Sequence, residues 1–443
     1  MKRITAIAFA LFAAAPLEAQ VAADSAIPIS LDEAIDLARR NSPAAIQARG
    51  TERTSRAAVR SAYGAFIPNL TITAGRTRQW NDQPTTSFDP RTGEQLTGPT
   101  TYNAGLTFNA TLFEGRRLYD LSSARATVSA AEALQVTQEF QVALNVSQQY
   151  FNALAARESE AAARAQLEQA QQQLRFSATR VRAGVATKSD SLRSLIQVGN
   201  AQLALLQAQT ALRGADATLS RLIGSDRTVT AAPGDSTLAP LGEAMLDTGR
   251  LSRLALEGPA VRQARANLEA ARATRRAATG AYLPTLTATY SRNGSGIDQR
   301  FGLGDQQYRY RGQLDFRVSY PLFNGFQREQ TVVQADVAED NAQAALRDAE
   351  LLARQTLVQN LDQLRTAQTR VEVGQLSVFA GREDLRVQQQ RYQAGASTLL
   401  DVLTSQTQLR EAESALIQAR LDARVARAQL EALIGRPLAE VSR

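Results

Sequence analysis

Histidine and cysteine are absent from all 443 residues, and lysine occurs only twice, as Lys2 and Lys188. Without imidazole or thiol there is no histidine base, no cysteine nucleophile, no zinc site of His/Cys type and no disulfide. The carboxylates are spread along helical stretches rather than gathered, so no catalytic constellation presents itself and the chain reads as a non-enzyme without cofactor or metal. Beyond the N-terminus no run of about 18 apolar residues occurs, which excludes a membrane-spanning helix. The net charge of +7 rests almost wholly on arginine. Because those arginines are scattered among Glu, Asp and Gln, they read as a solvated face, not as the basic patch of a nucleic-acid partner.

What is present begins with a leader. Lys2 and Arg3 precede the apolar run ITAIAFALFAAA, then Pro16 and the small-residue exit LEAQ. This pattern predicts a secretory signal peptide over 1–19, cleaved after Ala19. With no cysteine at the cleavage point, the exported chain is not lipidated.

The rest of the chain is written twice. RVRAGVATKSD (Arg180–Asp190) returns 211 positions later as RYQAGASTLLD (Arg391–Asp401), and Pro43–Leu70 aligns without gaps on Pro259–Leu286. LFEG (Leu112–Gly115) recurs as LFNG (Leu322–Gly325), and the LIG at Leu222–Gly224 recurs at Leu433–Gly435. Such self-similarity predicts two tandem repeats, 20–224 and 251–435, joined by a Pro/Gly-bearing linker at 225–250 and followed by a tail at 436–443.

Each repeat reads as a helix, a β-hairpin and a long helical hairpin. The first helix is expected over Ser30–Gly64, opened by a capping box of Ser30 and Glu33. Pro68 and Pro284 end the helices, and β-hairpins follow at 69–113 and 285–322. In TYNAGLTFNATLF, Tyr102, Leu106 and Phe108 alternate with Asn103, Thr107 and Asn109, the period-two signature of a strand. The period then turns helical from Arg116 to Arg182, about 100 Å of helix at 1.5 Å per residue. A turn at Gly184 leads into a second helix over Thr187–Ile223. The two shorter helices of a half, end to end, equal the long one, so each half supplies two rods of matched length. Their seams are thin and rich in Ala, Gln and Ser, which suits a curved wall better than a solid bundle. Four strands are too few to close a membrane barrel, for which about eight is the minimum. Three copies supply twelve strands and twelve rods.

The capped SLDEAIDLARRNSP, the helix-ending FIPNL and YLPTL, the LFEG and YPLFNG turns and the paired glycine tips together resemble the TolC-like outer membrane efflux family, over nearly all of the mature chain. The resemblance implies a mainly α protein with a membrane β-barrel: a homotrimer whose 12-strand β-barrel, set in outer membrane lipid of a Gram-negative-type bacterium, continues into a 12-helix α-barrel in the periplasm. It implies a passive exit duct of a tripartite efflux or type I secretion system, working with a periplasmic adaptor and an inner-membrane pump. By the same resemblance Gly184, Val185 and Ala186, with Gly395, Ala396 and Ser397, form the adaptor-docking hairpin tips. Asp190 and Tyr392 match a pair linking neighbouring hairpins of a closed periplasmic gate, and Asp401 matches an acidic ring at the entrance. Ser397 stands where a gate arginine is expected, and Thr404 where a second acidic ring is expected.

A periplasmic adaptor or other coiled-coil scaffold would also be exported, helical and rich in Ala and Gln. The long alternating strands, one hairpin in each half, argue against it.

Overall fold

The structure is a computed structural model that describes residues 26–78, 80, 87–88, 93, 95–96, 100–232, 247–298 and 309–438. The leader at 1–19, residues 233–246 of the linker and residues 439–443 of the tail lie outside the described residues. In chain order the first half holds β1 (Ile27–Ile29), α1 (Leu31–Asn41), α2 (Pro43–Gly64), β2 (Asn69–Arg78), two-residue strands β3 (Ser87–Phe88) and β4 (Gln95–Leu96), β5 (Thr100–Glu114), α3 (Gly115–Arg182) and α4 (Lys188–Ile223). Then follow β6 (Val229–Ala231), α5 (Thr248–Leu256), α6 (Pro259–Thr279), β7 (Thr285–Asp298), β8 (Arg309–Ser319), α7 (Gln327–Gln393) and α8 (Leu399–Ile434). The chain divides into two compact units, residues 1–34 with 149–236 and residues 35–148 with 237–443.

In the first unit the distal part of α3 folds back on α4. Gln149 Nε2 donates to the Ala215 carbonyl at 3.2 Å and Ser177 Oγ to Ser194 Oγ at 3.0 Å, so the two helices run antiparallel. At the foot of this hairpin β1 pairs in parallel with β6. The Tyr150 hydroxyl donates to the Ile29 carbonyl at 3.1 Å and Arg157 Nη1 to the Ala231 carbonyl at 2.8 Å. Side-chain donors thus finish a sheet too small to satisfy its own edges. Strand β6 lies inside the segment read from sequence as linker.

The second unit carries an antiparallel sheet in the order β2-β5-β7-β8. Its helices lie side by side in the matching order. Arg56 of α2 meets Glu132 of α3 at 3.1 Å, Thr137 of α3 bonds the Pro259 carbonyl of α6 at 3.1 Å, and Arg272 of α6 reaches Glu339 of α7 at 3.4 Å. A buried cluster of Leu251, Leu357, Leu361, Leu364, Leu430 and Ile434 ties α5, α7 and α8 together.

The helix expected over Ser30–Gly64 is two helices, parted at Ser42. Proline at 43 has no N–H to continue α1 and is suited to a first helical position, while the Ser42 hydroxyl caps α2 by accepting from Ala45 N at 3.3 Å. The second half breaks at the matching place, Gly258 before Pro259. In β5 a bulge between Thr111 and Phe113 takes Leu112 out of the expected alternation and puts Phe113 opposite Leu286.

The sheet is sorted by face. Leu70, Phe108, Tyr290 and Leu314 align across the four strands, with Ile72, Phe316 and Val318 on the same side, and all are exposed. Thr71, Thr107, Ser291 and Gln313 align on the other side, with Thr73, Asn103, Asn109, Thr287 and Asn293. No helix of the described residues is long and apolar enough to cross a membrane.

Candidate functional site: the two hairpin tips

Each long helix ends in the same short piece of backbone chemistry. At the first tip Gly184 N donates to the Val181 carbonyl at 3.1 Å and Val185 N to the Arg180 carbonyl at 3.0 Å, closing the last turn of α3. At the second, Gly395 N donates to the Tyr392 carbonyl at 3.2 Å and Ala396 N to the Arg391 carbonyl at 2.8 Å. Both patterns require a left-handed residue, and Gly184 and Gly395 hold φ at +74° and +75°. Glycine alone takes that conformation without a Cβ penalty.

Three residues past each glycine a threonine starts the return helix. Thr187 accepts from Asp190 N at 3.3 Å, and Asp190 Oδ2 accepts from Thr187 N at 3.2 Å and from its hydroxyl at 2.9 Å. Thr398 and Asp401 repeat the arrangement, with distances of 3.3, 2.8 and 2.8 Å. The hydrogen bonds from Thr398 hold the exposed Asp401 carboxyl below its usual range, helped by the Arg391 charge. Sequence reasoning started the first return helix at Thr187 but missed the capping roles of Thr187 and Thr398, although T-x-x-D is a legible capping-box signature. It also missed Arg391, whose Nη2 donates to the Ala396 carbonyl at 3.4 Å across the turn.

The residues expected at the docking tips and at the gate differ in setting. Val185 is exposed and Ala186 half-buried. Ala396 is exposed, while the half-buried Ser397 donates to the Gln388 carbonyl at 3.3 Å. Thr404 back-bonds to Leu400 at 2.9 Å. Tyr392 is buried, only 6% exposed, within the second unit. Asp190 belongs to the first unit and Tyr392 and Asp401 to the second. Within each unit the tip glycine, threonine and aspartate come together in one turn. Below each tip sits a polar contact: the buried Ser177 with Ser194 in the first unit, and the buried Ser405 with the exposed Asp384 in the second.

Long antiparallel helices with capped tips, and a sheet with one exposed apolar face, are features of a membrane channel. The outer membrane efflux protein model matches residues 34–225 and 251–436. The chain therefore belongs to the outer membrane efflux protein family, a family of TolC-like channels, and is an exit duct for efflux or secretion. The pyoverdine export outer membrane protein OpmQ of Pseudomonas aeruginosa is 29% identical over 413 residues, 91% of this chain and 83% of that protein. The alkaline protease secretion protein AprF of the same organism is 26% identical over 433 residues, 93% of this chain and 85% of that protein. The crystal structure of the outer membrane protein VceC of Vibrio cholerae superposes with a TM-score of 0.72 at 19% identity, covering 92% of this chain and 96% of that one.

Proposed function

We propose that three copies of the mature chain close one continuous duct, with twelve strands in the outer membrane and twelve helical rods in the periplasm. The observation that carries this reading is the sheet. It has one exposed apolar face and ends on both sides in strands, β2 and β8, whose outer edges have no neighbour among the described residues of the sheet. In hydrocarbon an open sheet edge leaves backbone N–H and C=O groups unsatisfied at several kcal/mol each, so only a closed barrel is viable. A second copy supplying β8 beside β2, and a third completing the ring, satisfies both edges. The apolar face then meets lipid and the Thr/Asn/Ser face lines the bore.

Export by the leader at 1–19, with no lipid anchor, delivers the chain to the outer membrane. The repeats span 20–224 and 251–435. The tips carrying Gly184, Val185 and Ala186, and Gly395, Ala396 and Ser397, dock a periplasmic adaptor that joins the duct to an inner-membrane pump. Asp190 and Tyr392 of neighbouring hairpins hold the entrance shut, and Asp401 rings it. The relatives are named for pyoverdine export and for alkaline protease secretion, so a duct of this family serves cargo of more than one class. The experiment is reconstitution in planar bilayers. The chain is expected to give discrete conductance steps, larger in Tyr392→Phe because the phenolic donor of each gate contact is lost. Steps of unchanged size in Tyr392→Phe would show that this ring only packs within its own hairpin. No steps at all would reject the duct.

A further inference from the structure

The polar face of the sheet is not uniformly neutral. On β2, β5 and β7 it shows Thr, Ser, Asn and Gly from Thr71 and Thr107 to Asn293. On β8 the same face carries Arg311, Gln313, Asp315 and Arg317 in alternating positions. The register places Arg311 opposite Asn293 and Arg317 opposite Thr287, so neither arginine has a carboxylate across the ladder. Asp315 reaches Arg317 at 3.5 Å, but the two side chains are 43% and 74% exposed. A pair so open to water is screened and neutralises little beyond its immediate surroundings. Among the described residues the remaining acid on this face, Glu114 at the foot of β5, is ion-paired to Arg117 at 2.8 Å. Each protomer therefore shows two arginines and one aspartate, an excess of one positive charge, on β8.

We propose that the bore of the membrane section is a cationic collar, built from Arg311 and Arg317 of every copy, that favours anionic cargo and binds polyphosphate- or polycarboxylate-like anions. This rests on the trimeric duct, in which the polar face lines the bore. The two arginines are six positions apart, about 20 Å along the strand, so they form two rings at different depths. Rings of arginine select anions because a passing ion lies within a Debye length, about 8 Å at physiological ionic strength, of several like charges.

The test uses the full-length trimer in planar bilayers at low salt, with tripolyphosphate added only to the chamber on the barrel side. Block of current is expected for the natural chain and for Arg311→Lys/Arg317→Lys, and is expected to be lost in Arg311→Gln/Arg317→Gln. In the same double Gln variant the reversal potential should move toward cation preference. A charge about 8 Å from the ion in water changes its local concentration about twofold, so the permeability ratio should change at least that much. Equal block in the natural and Gln trimers, or loss of block in the Lys variant, would overturn the collar while leaving the duct intact. A natural chain that forms no channel would overturn the duct reading and the collar with it.

Discussion

At Gly395 nothing stands within 4 Å of where a Cβ would be built, yet the backbone sits at φ +75°. A side chain there meets no clash, only the strain of the left-handed region, about 1–2 kcal/mol and more for a β-branched residue. Gly395→Val should therefore distort the tip without unseating the long helices: export through the pump falls while trimers still form. Loss of trimers instead would make the turn a structural element rather than a docking tip. Asp401 makes a second residue-scale expectation. Its folded carboxyl titrates below the usual aspartate range, so the stabilisation it gives is complete above that range and is lost as pH falls through the lowered value. Amide exchange in the first turn of α8 should accelerate only in acid, and Asp401→Asn should abolish that acid dependence. A Thr398→Ala change, which removes the cap itself, should cost the turn about 0.5–2 kcal/mol at every pH. The glycines were legible because their duplication marks them. The Arg391 contact to Ala396 was not, since a five-residue return across a turn has no pattern in sequence.

Among elements, the long helices announced themselves by period, and the structure places the ends of α3 and α4 within a residue of the expected limits. The first helix did not, because Ser42-Pro43 sits inside a continuous amphipathic stretch and Pro at a first helical position permits either a stop or a restart. Strands β1 and β6 were hidden for a different reason. Three residues show no periodicity, and their stability comes from Tyr150 and Arg157, more than 70 positions distant from the carbonyls they bind. Beside that small sheet lies Asp216 on α4, 5% exposed, whose carboxyl is pushed above its usual range by burial, against the opposing pull of the Thr230 hydroxyl and the Arg157 charge. A raised acid stabilises fully below the ordinary aspartate range and loses that contribution as pH rises through the raised value. Thermal unfolding of the natural chain should therefore carry a stability loss between acid and neutral pH that Asp216→Asn flattens, with the variant at least as stable at neutral pH. A variant that unfolds earlier at neutral pH would mean the ionised Asp216–Arg157 pair, not the desolvation, dominates.

For the whole molecule, the faces of the sheet are the decisive feature. Alternation in β5 and β8 made them readable from residues alone; the bulge at Thr111 was not, because one extra residue in a strand leaves the composition unchanged. The two open edges at β2 and β8 belong to no single chain's sequence, and they give the proposed trimer its physical reason. If closure of those edges is what makes the protein a duct, then assembly state is the most direct test. The mass of the detergent-extracted mature chain, measured by light scattering with the detergent contribution subtracted, should be that of three chains. A monodisperse single chain that keeps both its strand and its helix signals in circular dichroism would contradict the account.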